Sequence, residues 1–279
     1  MNEYTTHIKS KIKWLDFDLK ELWRYRDLIF LFVKRNYNTR YKQTILGPLW
    51  LILNPLITVM LYVFVFGNIA GLATDGSPQF AFYLCSNAIW TYFATCITET
   101  SNTFTANTAI MGKVYFPRLV MPVSSVITGF LDLMIQVVML SAVIIFYLCT
   151  GTQIHITSAL LLAPVLVLQT ALLGLGCGII IAACTTKYRD LVVVVSFGIQ
   201  LWLYVSPVVY TSTMIPAKFY RFYMCNPMAP IITVWRYAIL GTGEFPAMYW
   251  GISWIVTIVV LFLGVMLFNR IEKTFMDTV

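Results

Sequence analysis

The sequence predicts an all-α integral membrane protein, and three observations support this fold class. Of the 279 residues, 59% are hydrophobic and only 11% are charged, whereas soluble domains carry about 25% charged residues. Six segments stay apolar over the roughly 20 residues that a helix needs to cross a bilayer. The positive charges collect on one side of these segments. A chain of this composition has no water-soluble fold.

The six predicted transmembrane helices follow the first 48 residues of the chain. They lie at 49–72, 80–98, 119–148, 159–184, 191–209 and 249–268. The second is the least apolar because Ser86, Asn87, Thr91 and Thr95 dilute it. The domain prediction therefore has two parts, a cytoplasmic interfacial region at 1–48 and a six-span transmembrane domain at 49–279.

The distribution of Lys and Arg predicts the orientation of these helices. If the N-terminus is cytoplasmic, sixteen of the nineteen basic residues fall on the cytoplasmic side. Only Lys218, Arg221 and Arg236 fall on the outer side. Because positive residues accumulate in cytoplasmic loops, we expect both termini in the cytoplasm.

The first 48 residues predict an amphipathic helix that lies in the membrane interface. Apolar residues recur at helical spacing from Leu15 to Tyr37, with basic residues between them, which is typical of interfacial helices. Gly47-Pro48 then predicts a corner, because proline suits the first turn of a new helix. The alternative is that this helix only anchors the chain to anionic lipid.

Two connections are long enough to have functions of their own. The cytoplasmic loop 99–118 is mixed polar and apolar and could form a short helix ending near Gly112. It either presents a surface to a cytoplasmic partner or is a solvated connector. The outer segment 210–247 holds four prolines between short apolar pieces, which predicts two short re-entrant helices. A seventh span there would place the C-terminus outside.

One ionisable residue and several aromatic residues are candidates for contact with a transported molecule. Asp132 lies within the third span, with Gln136 one turn on. This membrane-buried acid could contact substrate or relay protons, or it could be satisfied by neighbouring helices. Aromatic rings suit sugars, which offer CH faces and OH rims. The candidate channel aromatics are Tyr62, Tyr83, Trp90, Tyr92, Trp202, Tyr204 and Tyr210.

The sequence lacks the motifs of a self-contained enzyme or pump. We find no paired-carboxylate motif, no phosphate-binding glycine loop, no HExxH and no Cys/His spacing typical of a metal site. We therefore assign no catalytic residue and no metal ligand. If the protein drives active transport, the energy comes from another chain or from an ion gradient.

Several motifs resemble the membrane subunits of type-2 ABC polysaccharide exporters. RYKQT and LGPLW, near the start of the first span, resemble the branch that exports O-antigen or teichoic acid. The similarity continues through KVYFPRLVMPVSSV, TTKYRDL, SPVVYTSTMIP and NPMAPII. It therefore covers nearly the whole chain.

The resemblance implies a homodimer that forms a channel in the bacterial cytoplasmic (inner) membrane. It implies two cytoplasmic ABC ATPase subunits, which bind the ATP and Mg²⁺, and no cofactor on this chain. The cargo would be a polyprenyl-pyrophosphate-linked glycan, with O-antigen as the first choice and teichoic acid as the second. The alternatives are a membrane glycosyltransferase or polymerase and a gradient-driven flippase for lipid-linked sugars.

The resemblance also implies roles for particular residues. The loop 99–118 would hold the helix that couples to the ATPase, and 185–190 would add a smaller contact. The implied coupling residues are Asn107, Thr108, Met111, Gly112, Lys113, Lys187, Tyr188, Arg189 and Asp190. The anionic lipid head group would contact Arg35, Arg40 and Lys42, because charge-assisted bonds to phosphate favour such residues.

Overall fold

The structure, a computed structural model, describes residues 19–41, 46–111, 116–152, 154–185 and 191–275. Within these ranges every regular element is helical. The first half contains α1 (Leu19–Arg24), α2 (Arg26–Tyr41), α3 (Trp50–Tyr62), α4 (Gln79–Met111) and α5 (Val120–Cys149). The second half contains α6 (Ala163–Thr185), α7 (Leu191–Tyr204), α8 (Ala217–Met224), α9 (Met228–Leu240) and α10 (Ala247–Phe275).

In the described ranges, five helical segments are long and apolar enough to cross a membrane. They are Gly47–Ile69, Gln79–Thr103, Val120–Cys149, Ser158–Thr185 and Ala247–Phe268, and each overlaps a predicted span. The remaining predicted span, 191–209, contains only the 14 residues of α7, which are too few for a full crossing. Helix α7 ends before Pro207, because proline cannot continue a helix. The all-helical membrane class is confirmed, but the count of six spans is not.

The first of these segments begins at Gly47-Pro48. Gly47 is buried and has a φ of 48°, a left-handed conformation that glycine adopts without a Cβ clash. Pro48 lies in the first turn of a short 3₁₀ helix, Gly47–Leu49, which leads directly into α3. Proline fits here because the first amide of a helix has no intrahelical acceptor.

Helix α4 continues for 33 residues and replaces most of a predicted loop. The connection expected at 99–118 is helical as far as Met111. Its polar residues are typical of a loop, but several bond to their own helix. The Thr103 hydroxyl donates to the Glu99 carbonyl, and the Asn107 amide donates to the Thr103 carbonyl, each at 2.8 Å. Such bonds hold Thr and Asn side chains within a helix.

Glycine residues let the long helices approach one another closely. Helix α4 is the most deeply buried of the five candidate spans, and α6 packs against it and against α10. A Cβ added at Gly178 would lie 2.5 Å from Cβ of Thr100 on α4, and one at Gly174 would lie 2.5 Å from Cβ of Cys96. Gly174 and Gly178 form a GxxxG pattern, and it serves close packing between helices of the same chain.

The segment predicted to contain two short helices, 210–247, holds α8 and α9. Twelve of the thirteen residues of α9 are buried, and this helix contacts α4, α6, α8 and α10. A helix that is apolar all round belongs in a protein interior. Arg236 lies on α9 and is only 2% exposed. The charge count placed Arg236 among the outer-side basic residues and did not predict that it is buried.

The glycine contacts give a first prediction. Gly178→Ala should lower the free energy of unfolding by about 1–3 kcal/mol, the usual cost of overpacking, because the new methyl group meets Thr100. Gly251→Ala is the matched control, because a Cβ there has no neighbour within 4 Å. Thermal unfolding in detergent measures both variants. Equal stability of the two variants would contradict the close contact between α4 and α6.

Candidate functional site

A cleft of about 510 Å³ lies between α3, α4 and α5, with Leu203 of α7 on its rim. Most of the residues that line it carry polar groups. They are Arg40, Trp50, Asn54, Thr58, Tyr62, Asn87, Trp90, Thr91, Thr95, Thr98, Glu99, Asp132 and Gln136. Polar side chains between membrane helices are costly and usually face a protein interior or a wet cavity. Their concentration here marks the cleft as the candidate site.

One face of α4 supplies the longest row of polar side chains. Asn87, Thr91, Thr95 and Thr98 all line the cleft, and residues three or four apart share a helix face. The regular spacing of these four residues is visible in the sequence and predicts a polar face on this helix. Our prediction for the second span treated several of them only as a reduction of its hydrophobicity, so it missed the site.

The polar side chains of the cleft lack the hydrogen bonds that similar residues make elsewhere. The Thr128 and Thr170 hydroxyls each donate to their own helix at 2.8 Å. The buried amide of Gln169 is bonded at both ends, since it accepts from Trp250 at 2.8 Å and donates to Ser253 at 2.9 Å.

In the described part of the chain, seven Thr, Asn and Gln side chains of the cleft have no protein hydrogen-bond partner. They are Asn54, Thr58, Asn87, Thr91, Thr95, Thr98 and Gln136. Gln136 is 5% exposed, and its Oε1 is a buried acceptor without a donor among the described residues. Asn87 is also buried, at 5% exposure, and the other five are half-buried or exposed. Buried polar groups are nearly always bonded, so the unpaired groups of Asn87 and Gln136 are available to water or to a polar ligand.

An ion-pair cluster closes one end of the cleft. Arg40, near the end of α2, donates from Nη1 to Asp132 Oδ2 at 2.9 Å and approaches Glu99 Oε1 with Nη2 at 2.5 Å. The Asp132 side chain is 14% exposed. A partly buried carboxylate needs such a partner. This geometry agrees with the alternative that neighbouring helices, and not a substrate, supply the bonding partner of the Asp132 carboxylate.

Helix α2 packs on the protein through a second set of contacts, which we call the basal junction. Arg35 Nη2 donates to Asn107 Oδ1 on α4 at 2.6 Å. The Phe32 and Phe116 ring centroids are 5.7 Å apart, and Val120 is buried in the same apolar cluster. Partial burial lowers the pKa of Arg35, although a guanidinium titrates so far above neutral pH that it keeps its charge.

Two of the seven candidate channel aromatics line the cleft, namely Tyr62 and Trp90. Tyr83 and Tyr92 are buried in the core at 0% and 3% exposure. The other three, Trp202, Tyr204 and Tyr210, lie at or just beyond the C-terminal end of α7.

Most of the implied coupling residues cannot be placed. The coupling residues Gly112, Lys113, Lys187, Tyr188, Arg189 and Asp190 lie outside the described residues, as does the predicted head-group contact Lys42. Thr108 and Met111 lie in the last turns of α4, and Asn107 joins the basal junction. In the described ranges, no group of three or more His, Cys, Asp or Glu side chains could hold a metal ion.

Comparisons with known proteins place the chain in a family. Residues 27–240 match the family model described as ABC-2 type transporter. An O-antigen export system permease protein RfbA from Klebsiella pneumoniae is 30% identical over 252 residues, which cover 90% of this chain and 94% of that protein. A protein of the same name from Myxococcus xanthus is 28% identical over 221 residues, which cover 78% of this chain and 82% of that protein. The chain therefore belongs to the ABC-2 type transporter family of membrane proteins, as a permease subunit and not an enzyme.

Proposed function

We propose that this chain is the channel-forming subunit of an ATP-driven exporter of polyprenyl-pyrophosphate-linked polysaccharide. The cargo would move from the cytoplasmic to the outer side of the bacterial inner membrane. O-antigen is our first choice, because the similar proteins are named O-antigen export system permeases, and teichoic acid is the second. Membership of the ABC-2 permease family argues against a glycosyltransferase and against a gradient-driven flippase.

The observation that carries this proposal is the set of unpartnered polar side chains in the cleft. A glycan offers a hydroxyl group on nearly every ring carbon, and each hydroxyl both donates and accepts. Thr95 and Gln136 offer hydroxyl and amide groups that no described residue satisfies. Tyr62 and Trp90 add aromatic faces for the CH faces of sugar rings. A lipid tail, by contrast, would leave all these groups unsatisfied.

The proposed topology has six crossings and cytoplasmic termini. Helix α7 would be the fifth crossing, completed by the turn that follows it. Helices α8 and α9 would re-enter from the outer side, and the burial of α9 within the protein supports this, because irregular backbone at membrane depth needs shielding. The positive-inside rule supports the same orientation.

A homodimer would complete the channel. The cleft is open, and two helices beside it are poorly covered by the rest of the chain. No residue of α7 is buried, and only Pro55 and Val59 are buried on α3. Large apolar residues such as Met60 and Phe197 are exposed there, at 58% and 60%. A second copy of the chain would cover these faces and form the remaining wall of the cargo path through the cleft.

Family membership implies an ABC ATPase partner, and we propose that it docks beside the basal junction. Helix α4 runs without interruption from the cleft to its end at Met111. A displacement of that end by the partner would therefore be transmitted to the cleft through one rigid helix. ATP and Mg²⁺ would be held by the partner, with no cofactor on this chain. The residues 185–190 would add the smaller contact.

Arg35, Arg40 and Lys42 remain our proposed contacts for the anionic head group. Arg40 is already bonded to Asp132 and Glu99. A phosphate at Arg40 would therefore compete with these carboxylates, and its arrival would loosen the tie between α2 and the cleft.

The cleft threonines give a test of the cargo path. Thr91→Val with Thr95→Val should reduce polysaccharide export about fivefold or more, because each lost hydrogen bond is worth about 1 kcal/mol. Surface polysaccharide in cells that carry the variant as the sole copy measures export. The matched control is Thr128→Val with Thr170→Val, where the same change removes hydroxyls that bond only to their own helices. Equal export by the two pairs would contradict the proposed path.

The Arg35–Asn107 bond gives a test of the coupling route. Arg35→Met and Asn107→Leu should each lower export per ATP hydrolysed, because either change removes the bond between α2 and the C-terminal part of α4 and leaves the Arg40–Glu99 pair as the remaining tie. The double variant should be no worse than Arg35→Met alone, since both lack the same bond. Lys34→Ala removes a neighbouring exposed charge and should have no effect. Additive losses, or no loss in Arg35→Met, would contradict a coupling role for this bond.

A further inference from the structure

Helix α7 is the least embedded of the helices beside the cleft. None of its residues is buried, yet it contributes Leu203 to the cleft wall. It contacts α4 and α6, and Val195, Ile199, Trp202 and Leu203 pack against the core, but all four stay partly exposed. The turn that follows is different, because Ser206 and Val208 are fully buried and Val209 is 2% exposed. The fully buried contacts of this region therefore lie just beyond the C-terminal end of α7.

Asn226, just before α9, makes the first set of contacts with this end. Its Oδ1 accepts from the Trp202 indole N–H at 2.9 Å. Its Nδ2 donates to the Val205 carbonyl at 3.2 Å and to Ser206 Oγ at 3.0 Å. The last carbonyls of a helix have no intrahelical donor, so the amide of Asn226 satisfies a group that α7 leaves open.

Arg236 on α9 makes the second set of contacts. Its Nη1 donates to the Pro207 carbonyl at 3.2 Å and reaches the Tyr210 carbonyl at 3.5 Å. The guanidinium lies over the Phe82 ring, with its Cζ 4.3 Å from the centroid. A buried cation is costly unless it is bonded, and carbonyl dipoles with an aromatic face supply that stabilisation here.

Helix α9 is itself fixed to the centre of the fold. The Trp235 indole N–H donates to the Cys85 carbonyl on α4 at 3.1 Å, and Arg236 Nη1 lies 3.4 Å from Ser86 Oγ on the same helix. The contacts of Asn226 and Arg236 therefore tie the end of a loosely packed helix to the most deeply buried one.

We propose that Asn226 and Arg236 are positioning residues that clamp the C-terminal end of α7 to α9. The clamp fixes this end in place. Helix α7 then changes the width of the cleft by moving the part of the helix that lies N-terminal to the clamp. This also gives a physical reason for the SPVVY and NPMAP motifs, which supply the two sides of the clamp. The inference does not depend on which cargo passes through the cleft.

Hydrogen–deuterium exchange of the purified complex with its ATPase partner tests the clamp. Arg236→Met and Asn226→Asp should each speed exchange of the amides in 201–211 by about tenfold, with α6 unchanged. Asn226→Asp keeps an acceptor for Trp202, removes the donor half of the amide and places a carboxylate charge beside the Val205 carbonyl. Arg236→Lys retains a donor and should behave more like the parent than Arg236→Met.

The control and the contrary outcomes separate a clamp from a general structural role. Arg221→Met removes an exposed cation of α8 and should leave exchange in 201–211 unchanged. If the Arg236→Met variant fails to assemble, the Asn226→Asp variant provides the test of the clamp. Asn226 is only half-buried, so its substitution disturbs the packing less. Unchanged exchange in 201–211, an equal rise in α6, or no rescue by Arg236→Lys would overturn the proposal.

Discussion

Hydrogen-bond satisfaction in a medium without water is the constraint on which this structure depends. Inside a bilayer a polar group that lacks a partner is costly, and most of this chain meets the constraint internally. Threonines bond to their own helices, Gln169 is bonded at both ends, and Arg236 is held by carbonyl groups. Among the buried side-chain oxygens that lack a partner in the described residues, Gln136 Oε1 lies in the cleft, and those of Tyr83, Thr100 and Tyr223 lie outside it. In the cleft, however, several unpartnered polar side chains line one cavity, and this concentration locates the site.

Helix α4 connects the cleft to the basal junction. Its 33 residues span about 50 Å at 1.5 Å per residue. One face carries the polar row of the cleft, Glu99 meets Arg40, and Asn107 meets Arg35 near the other end. Its opposite side is locked to α6 by close glycine contacts. A single rigid helix thus joins the proposed ATPase-facing end to the proposed path.

The sequence predicted much of the fold and little of the site. Hydrophobicity and length located five spans, because these quantities measure the same property that a membrane selects. They did not predict that α4 continues to Met111, since polar residues that bond to their own helix look like a loop in composition. Nor did they predict the burial of Arg236 or the pairing of Arg40 with Asp132, which are separated by 92 residues. Such contacts depend on tertiary packing, which local pattern does not contain.

The accessibility of the cleft tests the central claim most directly. Single cysteines at Thr95 and Thr128 in a variant without native cysteines would be treated, in the assembled complex, with a water-soluble maleimide. The account predicts rapid labelling of Thr95→Cys, which lines the cleft, and slow labelling of Thr128→Cys, which is buried. Slow labelling at both positions would show that the unpartnered groups do not face a path for water or glycan, and would contradict the account.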